Sequence, residues 1–193
     1  KENRVGLITG LWANSMGQGG VLPIEVSLYP CSSFLNLKLT GMQGDVMKES
    51  MNVAKTLAWS MLTATEMDKL QKKMTRTKYQ GLHIHVPEGG TPKDGPSAGT
   101  AITAAIYSAF TGKKIRYDIA ITGEICLQKK ITAIGGLDLK LEGGIRAGVK
   151  HFIFPKENIE DYDDFIKRYT GSIEGITFSP MENIEDVFKV VFE

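Results

Sequence analysis

Apolar residues change their spacing part-way along this chain, and that change limits the folds open to it. Val5 to Leu11 and Val21 to Tyr29 read as strands flanking Gly17-Gln18-Gly19-Gly20. Phe34 to Thr40 is a third, with Leu35, Leu37 and Leu39 on one face. From Asp45 to about Thr63 the period becomes helical, with Val46, Val53, Ala54, Leu57, Met61 and Leu62 as an apolar stripe. The polar stretch Glu66 to Tyr79 reads as a helix end and a loop. Beyond it, strands at Leu82 to Val86, Ile119 to Thr122, Phe152 to Phe154 and Ile176 to Ser179 are separated by helices after Ser97, after Leu137 and at Ile159 to Arg168, with Glu182 to Val191 as a last helix. A strand-rich beginning followed by helix-strand alternation predicts an α+β or mixed α/β domain. A length of 193 residues suits one such domain with a sizeable core.

The densest chemistry lies in Lys93-Asp94-Gly95-Pro96-Ser97-Ala98-Gly99, where a glycine-rich loop runs into the Ala- and Ile-rich stretch Thr100 to Phe110. Ala98, Ala101, Ile102, Ala105, Ile106 and Ala109 make a buried helical stripe there and place Ser97 in the first turn. Unpaired N–H groups and the positive end of the helix dipole at that position favour an oxyanion. Gly90, Gly95 and Ser97 have the spacing of a GxxxxGK[ST] phosphate cradle. Pro96 argues against that reading, because it puts a residue without amine or backbone N–H where the lysine belongs. Two readings of Ser97 remain open on the loop alone, a helix cap and a nucleophile.

A lysine further along bears on the choice. Lys140 ends Ile134-Gly135-Gly136-Leu137-Asp138-Leu139-Lys140, at the start of a helix-like segment. Serine and lysine together can replace a serine, histidine and aspartate triad. With Pro92 included, the loop reads PKDGPSAG, the nucleophile motif of A-type Lon, and the chain resembles the proteolytic domain of that ATP-dependent protease over almost its whole length. The resemblance runs through Gly44-Asp45-Val46-Met47-Lys48-Glu49-Ser50, His83-Ile84-His85-Val86-Pro87-Glu88-Gly89 and Thr122-Gly123-Glu124-Ile125. It implies the Lon protease fold, related to a ribosomal-protein-like topology, with a mixed sheet and flanking helices. It further implies that Ser97 is the nucleophile and Lys140 its general base. An unperturbed lysine, with a pKa of about 10.4, is neutral in roughly one molecule in a thousand near pH 7.4, so bringing it to about 7 means destabilising the ammonium by on the order of 4 to 5 kcal/mol. Burial can supply this, and Leu137, Leu139 and Leu141 are apolar neighbours.

Thr122 closes the segment Tyr117 to Ile121, and the resemblance implies that its hydroxyl orients Lys140. Pro96 has no N–H, which leaves the amides of Ser97, Gly95 and Asp94 as candidate oxyanion donors. The resemblance gives Asp94 a part in setting active and inactive loop states; an Asp accepting a backbone N–H in a turn is the plainer alternative. His83 and His85 alternate with Leu82, Ile84 and Val86, so a strand puts both imidazoles on one face. The remaining histidine is His151, and neither Cys31 nor Cys126 stands in a C-x-x-C pair, so a complete zinc set is not expected. The His-x-His strand also occurs in Lon beside the serine, which makes His85 a supporting neighbour of the site.

Lysine plus arginine number 23 against 22 aspartates and glutamates. That balance offers no basic footprint for nucleic acid, and no apolar run reaches membrane-spanning length. Two unpaired-looking cysteines point to a reducing compartment, the cytoplasm or alternatively the mitochondrial matrix. No cofactor is expected in these residues. The resemblance implies a separate AAA+ ATPase module using ATP and Mg, a homo-hexamer, and unfolded polypeptide as substrate. A start at Lys-Glu-Asn-Arg rather than Met suggests a piece of a longer chain. Three departures from the usual Lon pattern stand out. Leu11-Trp12-Ala13 reorders a Leu-Ala-Trp in the wall of the substrate groove, Gln128-Lys129-Lys130 replaces an Arg-Gly turn, and Gly143 and Gly144 stand where alanines are usual. At about 1 kcal/mol each in an exposed helix interior, the two glycines predict a looser helix and a more mobile Lys140.

Overall fold

The computed structural model describes residues 1–41, 44–87 and 97–193. Among the described residues the main sheet takes β1 (Leu7–Ala13), β2 (Gly19–Tyr29), β3 (Leu37–Thr40), β4 (Gly81–His85), β5 (Ile119–Ile121), β8 (His151–Pro155) and β9 (Thr177–Met181) in the order β3-β4-β2-β1-β5-β8-β9. The short strands β6 (Glu124–Ile125) and β7 (Ile131–Thr132) form a separate antiparallel pair. β2 runs antiparallel to both β1 and β4. From β1 through β5 and β8 to β9 the pairing is parallel. The architecture is the expected mixed sheet with flanking helices.

Strand alternation divides the apolar residues between two cores. Ile8, Ile119, Ile121 and Ile153 face one, together with α1 (Asp45–Ser60), α2 (Ala64–Thr77), α3 (Gly99–Thr111) and α6 (Ile184–Val191). Leu11, Ala120, Phe152 and Phe154 face the other, with α4 (Leu137–Arg146) and α5 (Ile159–Arg168). The centre of the sheet is therefore covered on both sides, as parallel strands require. α3 is buried almost all round from Gly99 to Ser108 rather than along one stripe, because it packs against α1 as well as against β1 and β2.

Several sequence expectations are corrected. Most of the stretch from Glu66 to Tyr79 belongs to the 14-residue helix α2, Ala64–Thr77, nucleated by a reciprocal capping box in which Thr63 Oγ1 accepts from the Glu66 N–H and Glu66 Oε1 accepts from the Thr63 N–H. Only Leu70 and Met74 of that helix are buried, which explains its polar look. In α1 the buried set includes Met47 and Met51, and Val46 is exposed. β3 starts at Leu37 because Leu35, though buried, takes a left-handed turn with φ 53°. Gly143 and Gly144 are buried, so the cost assigned to exposed helix glycines does not apply. A Cβ at Gly143 would collide with the backbone of Gly19 and Gly20, and one at Gly144 with the Phe152 ring. These glycines let α4 lie directly against β2 and β8.

Candidate active site

Thr122 follows the last residue of β5, and its N–H donates to Ile153 O on β8 at 3.0 Å. That bond continues the parallel pairing by one residue and fixes the Thr122 side chain at the carboxyl end of the sheet, a usual place for site residues in such folds. α4 approaches from the other core. Its first turn is led in by Ile134, whose backbone N–H and C=O are both taken by the amide of Asn158, at 2.9 and 2.8 Å. Asn158 is itself buried. Sequence reasoning did not single it out; an Asn just before a helix gives no signal of a partner 24 residues away.

Lys140 lies in the second turn of α4, only 4% exposed. Its Nζ donates to Thr122 Oγ1 at 3.3 Å, both groups buried. Burial pulls the Lys140 ammonium down from 10.5 to about 8. A lysine in this state gives up its proton near neutral pH far more readily than a surface lysine, and can take one from a weak acid beside it.

Ser97 lies in a turn two residues before α3, not in its first turn. The first helical bond runs from the Ile102 N–H to Ala98 O at 2.9 Å, and the Ser97 carbonyl accepts instead from the Gly123 N–H at 2.8 Å. Ser97 and Lys140 are thus both tied to the dipeptide Thr122-Gly123, one through the backbone and one through a side chain. Among the sequence-predicted residues, the structure brings Ser97, Thr122 and Lys140 into one connected set. His85 is half-buried on β4 and shares the Thr40 hydroxyl with His83, at 2.6 Å from His85 Nδ1 and 2.8 Å from His83 Nε2. The two imidazoles do face the same side, and burial, with Lys38 and His85 nearby, holds His83 below the usual histidine range. Asp94 and Gly95 lie outside the described residues. No group of three or more His, Cys, Asp or Glu side chains suited to a metal ion occurs among the described residues, nor is any helix there long and apolar enough to cross a membrane.

Comparison with known proteins places this chain among proteases. Residues 1–193 match the family model described as Lon protease (S16) C-terminal proteolytic domain. The chain is 37% identical over its full length to a Lon protease of Mycoplasma mycoides subsp. mycoides and 39% identical over its full length to that of Vibrio parahaemolyticus. A Lon protease homolog of Acanthamoeba polyphaga mimivirus is 44% identical over 87% of the chain. The chain belongs to the Lon family of proteolytic domains. It spans 23%, 23% and 16% of the length of these three relatives, in the same order.

Proposed function

We propose that this chain is a serine endopeptidase in which Ser97 attacks the peptide carbonyl and Lys140 serves as general base and then general acid. The observation that carries the reading is Lys140 itself, buried, lowered to about 8 and hydrogen-bonded to Thr122, the residue next to the one that grips Ser97. In the first step the Lys140 amine takes the proton of Ser97 Oγ as Oγ bonds to the substrate carbon. The resulting ammonium protonates the leaving amine, giving an acyl-enzyme. Water, deprotonated by the same amine, then releases the acid product and restores Ser97. Thr122 Oγ1 can accept from Lys140 Nζ throughout, and so holds the nitrogen through both protonation states. The Ser97 amide, with Gly95 or Asp94, is the expected oxyanion donor set.

The whole protein is, on this reading, an ATP-dependent protease that degrades unfolded or damaged proteins. An AAA+ module using ATP and Mg delivers substrate to a homo-hexameric, cytoplasmic assembly, and this domain needs no cofactor of its own. The length of the relatives, more than four times the matched region, is consistent with such a module. The test is cleavage of a short fluorogenic peptide by the full-length protein with Ser97→Ala. Loss of cleavage is expected; an unchanged rate would mean that the domain is a catalytically silent assembly module and that the activity belongs elsewhere.

A further inference from the structure

We infer that Thr100 is a positioning residue for the Ser97–Lys140 pair, acting through the carbonyl of Gly123; the inference rests on the peptidase reading above. Thr100 is fully buried in the first turn of α3. Its N–H and its hydroxyl both donate to Gly123 O, at 3.1 and 3.0 Å. The same peptide segment returns a bond to the turn before the helix, from the Gly123 N–H to Ser97 O at 2.8 Å. Gly123 is thereby held at both of its polar groups by residues three apart, Ser97 and Thr100. On its other side it continues into Thr122, which receives the Lys140 ammonium and is pinned to Ile153.

No other described backbone link joins the Ser97 turn to the segment that holds Lys140 so directly, and Thr100 supplies two of its three bonds. The fit leaves no slack. A Cβ added at Gly123 would stand 2.9 Å from Thr100 Oγ1 and 2.6 Å from Ile131 Cγ2, so the peptide is packed between the hydroxyl and β7. An N–H alone fixes the distance of the carbonyl but lets the peptide plane rotate about that bond. The hydroxyl, as a second donor to the same oxygen, opposes that rotation. Rotation of the 123–124 peptide, to which this carbonyl belongs, would shift Gly123 and weaken the hold of Ser97 O on the Gly123 N–H, and so carry the adjoining Thr122 Oγ1, and with it Lys140 Nζ, away from the position set relative to Ser97. Reactions that depend on such contacts lose on the order of a hundredfold for a displacement of about 1 Å.

The test uses the full-length protein, a short fluorogenic peptide, and Thr100→Val, Thr100→Ala and Thr100→Ser, with Ser97→Ala as control. Rates are expressed per reactive serine, counted by exhaustive labelling with a serine-directed fluorophosphonate, so that loss of folded protein does not count as loss of kcat. Thr100→Val and Thr100→Ala, which lack the hydroxyl, are expected to lower kcat about tenfold with KM changed less than about twofold. Thr100→Ser is expected to restore kcat to within about twofold of the wild type. Wild-type kcat per labelled site in either hydroxyl-free variant overturns the inference, as does Thr100→Ser as impaired as Thr100→Val. Activity surviving in Ser97→Ala would instead overturn the peptidase reading and this inference with it, so the two failures are distinguishable.

Discussion

Replacing Lys140 by Met should make the domain more stable while removing its base. The fall of the ammonium from 10.5 to about 8 measures what burial costs the charged form. At 1.36 kcal/mol per tenfold change, that cost is about 3 kcal/mol wherever both folded and unfolded lysines carry their proton, which includes pH 7. Met has a similar volume and no charge to desolvate, so it escapes the cost. Against this stands the lost hydrogen bond to Thr122 Oγ1, worth about 1 kcal/mol. The net gain at pH 7 is therefore about 2 kcal/mol. Between pH 8 and 10.5 the unfolded state binds more protons at this position than the folded state, so wild-type stability rises with pH there. By pH 9 the desolvation cost has fallen to about 2 kcal/mol and the advantage of Lys140→Met to about 1. Urea unfolding of the 193-residue chain at pH 7 and pH 9 reads both numbers. A variant less stable than the wild type at pH 7, or an advantage that does not shrink at pH 9, would refute the claim that a charged lysine is held here at a cost.

Two further outcomes are expected. Because only the neutral amine can accept the serine proton, kcat/KM for a short peptide should climb with pH through an apparent pKa near 8, falling about tenfold per pH unit well below it; a profile flat from about pH 6.5 to 9.5 would rule out Lys140 as the base. Gly144→Ala should cost about 1 to 3 kcal/mol in thermal unfolding, since the new Cβ would stand 2.7 Å from Phe152 Cζ, and Gly143→Ala at least as much; the gain of about 1 kcal/mol shown by exposed helix glycines would contradict the close packing of α4.

The parts of this molecule that could be read in advance are those where one periodicity dominates. α5 occupies Ile159–Arg168 as expected because its apolar residues keep to one face with charges opposite. β5 and β8 are short, almost wholly apolar runs and were equally plain. α2 was missed because only two of its residues are buried, although Thr63 and Glu66 carried the spacing of a capping box. The β6–β7 pair, two residues to a strand, is too short for alternation to register. In the site, the motif and the lysine were visible as residues, but their environment was not. Burial of Lys140 depends on a helix lying flush against two strands, which two glycines permit, and those same glycines looked like a source of looseness. Thr100 was hidden for a similar reason. Inside an apolar run a threonine passes for core, and its carbonyl partner lies 23 residues away.

Residues 3–4 and 192–193 meet along residues 114–115. Arg4 and Ile115 exchange backbone hydrogen bonds in both directions, Phe192 pairs with the same Ile115, and the Glu193 N–H donates to Lys114 O at 3.0 Å. Asn3 Nδ2 reaches Glu193 Oε2 across 190 positions of sequence. A seam drawn from three stretches so far apart in sequence holds only while all three are in place. α6, whose Val187 and Val191 belong to the same core as Ile8, leads straight into this seam. The domain is thus fastened by a three-part clasp, and removal of residues 1–4 or 192–193 would open it.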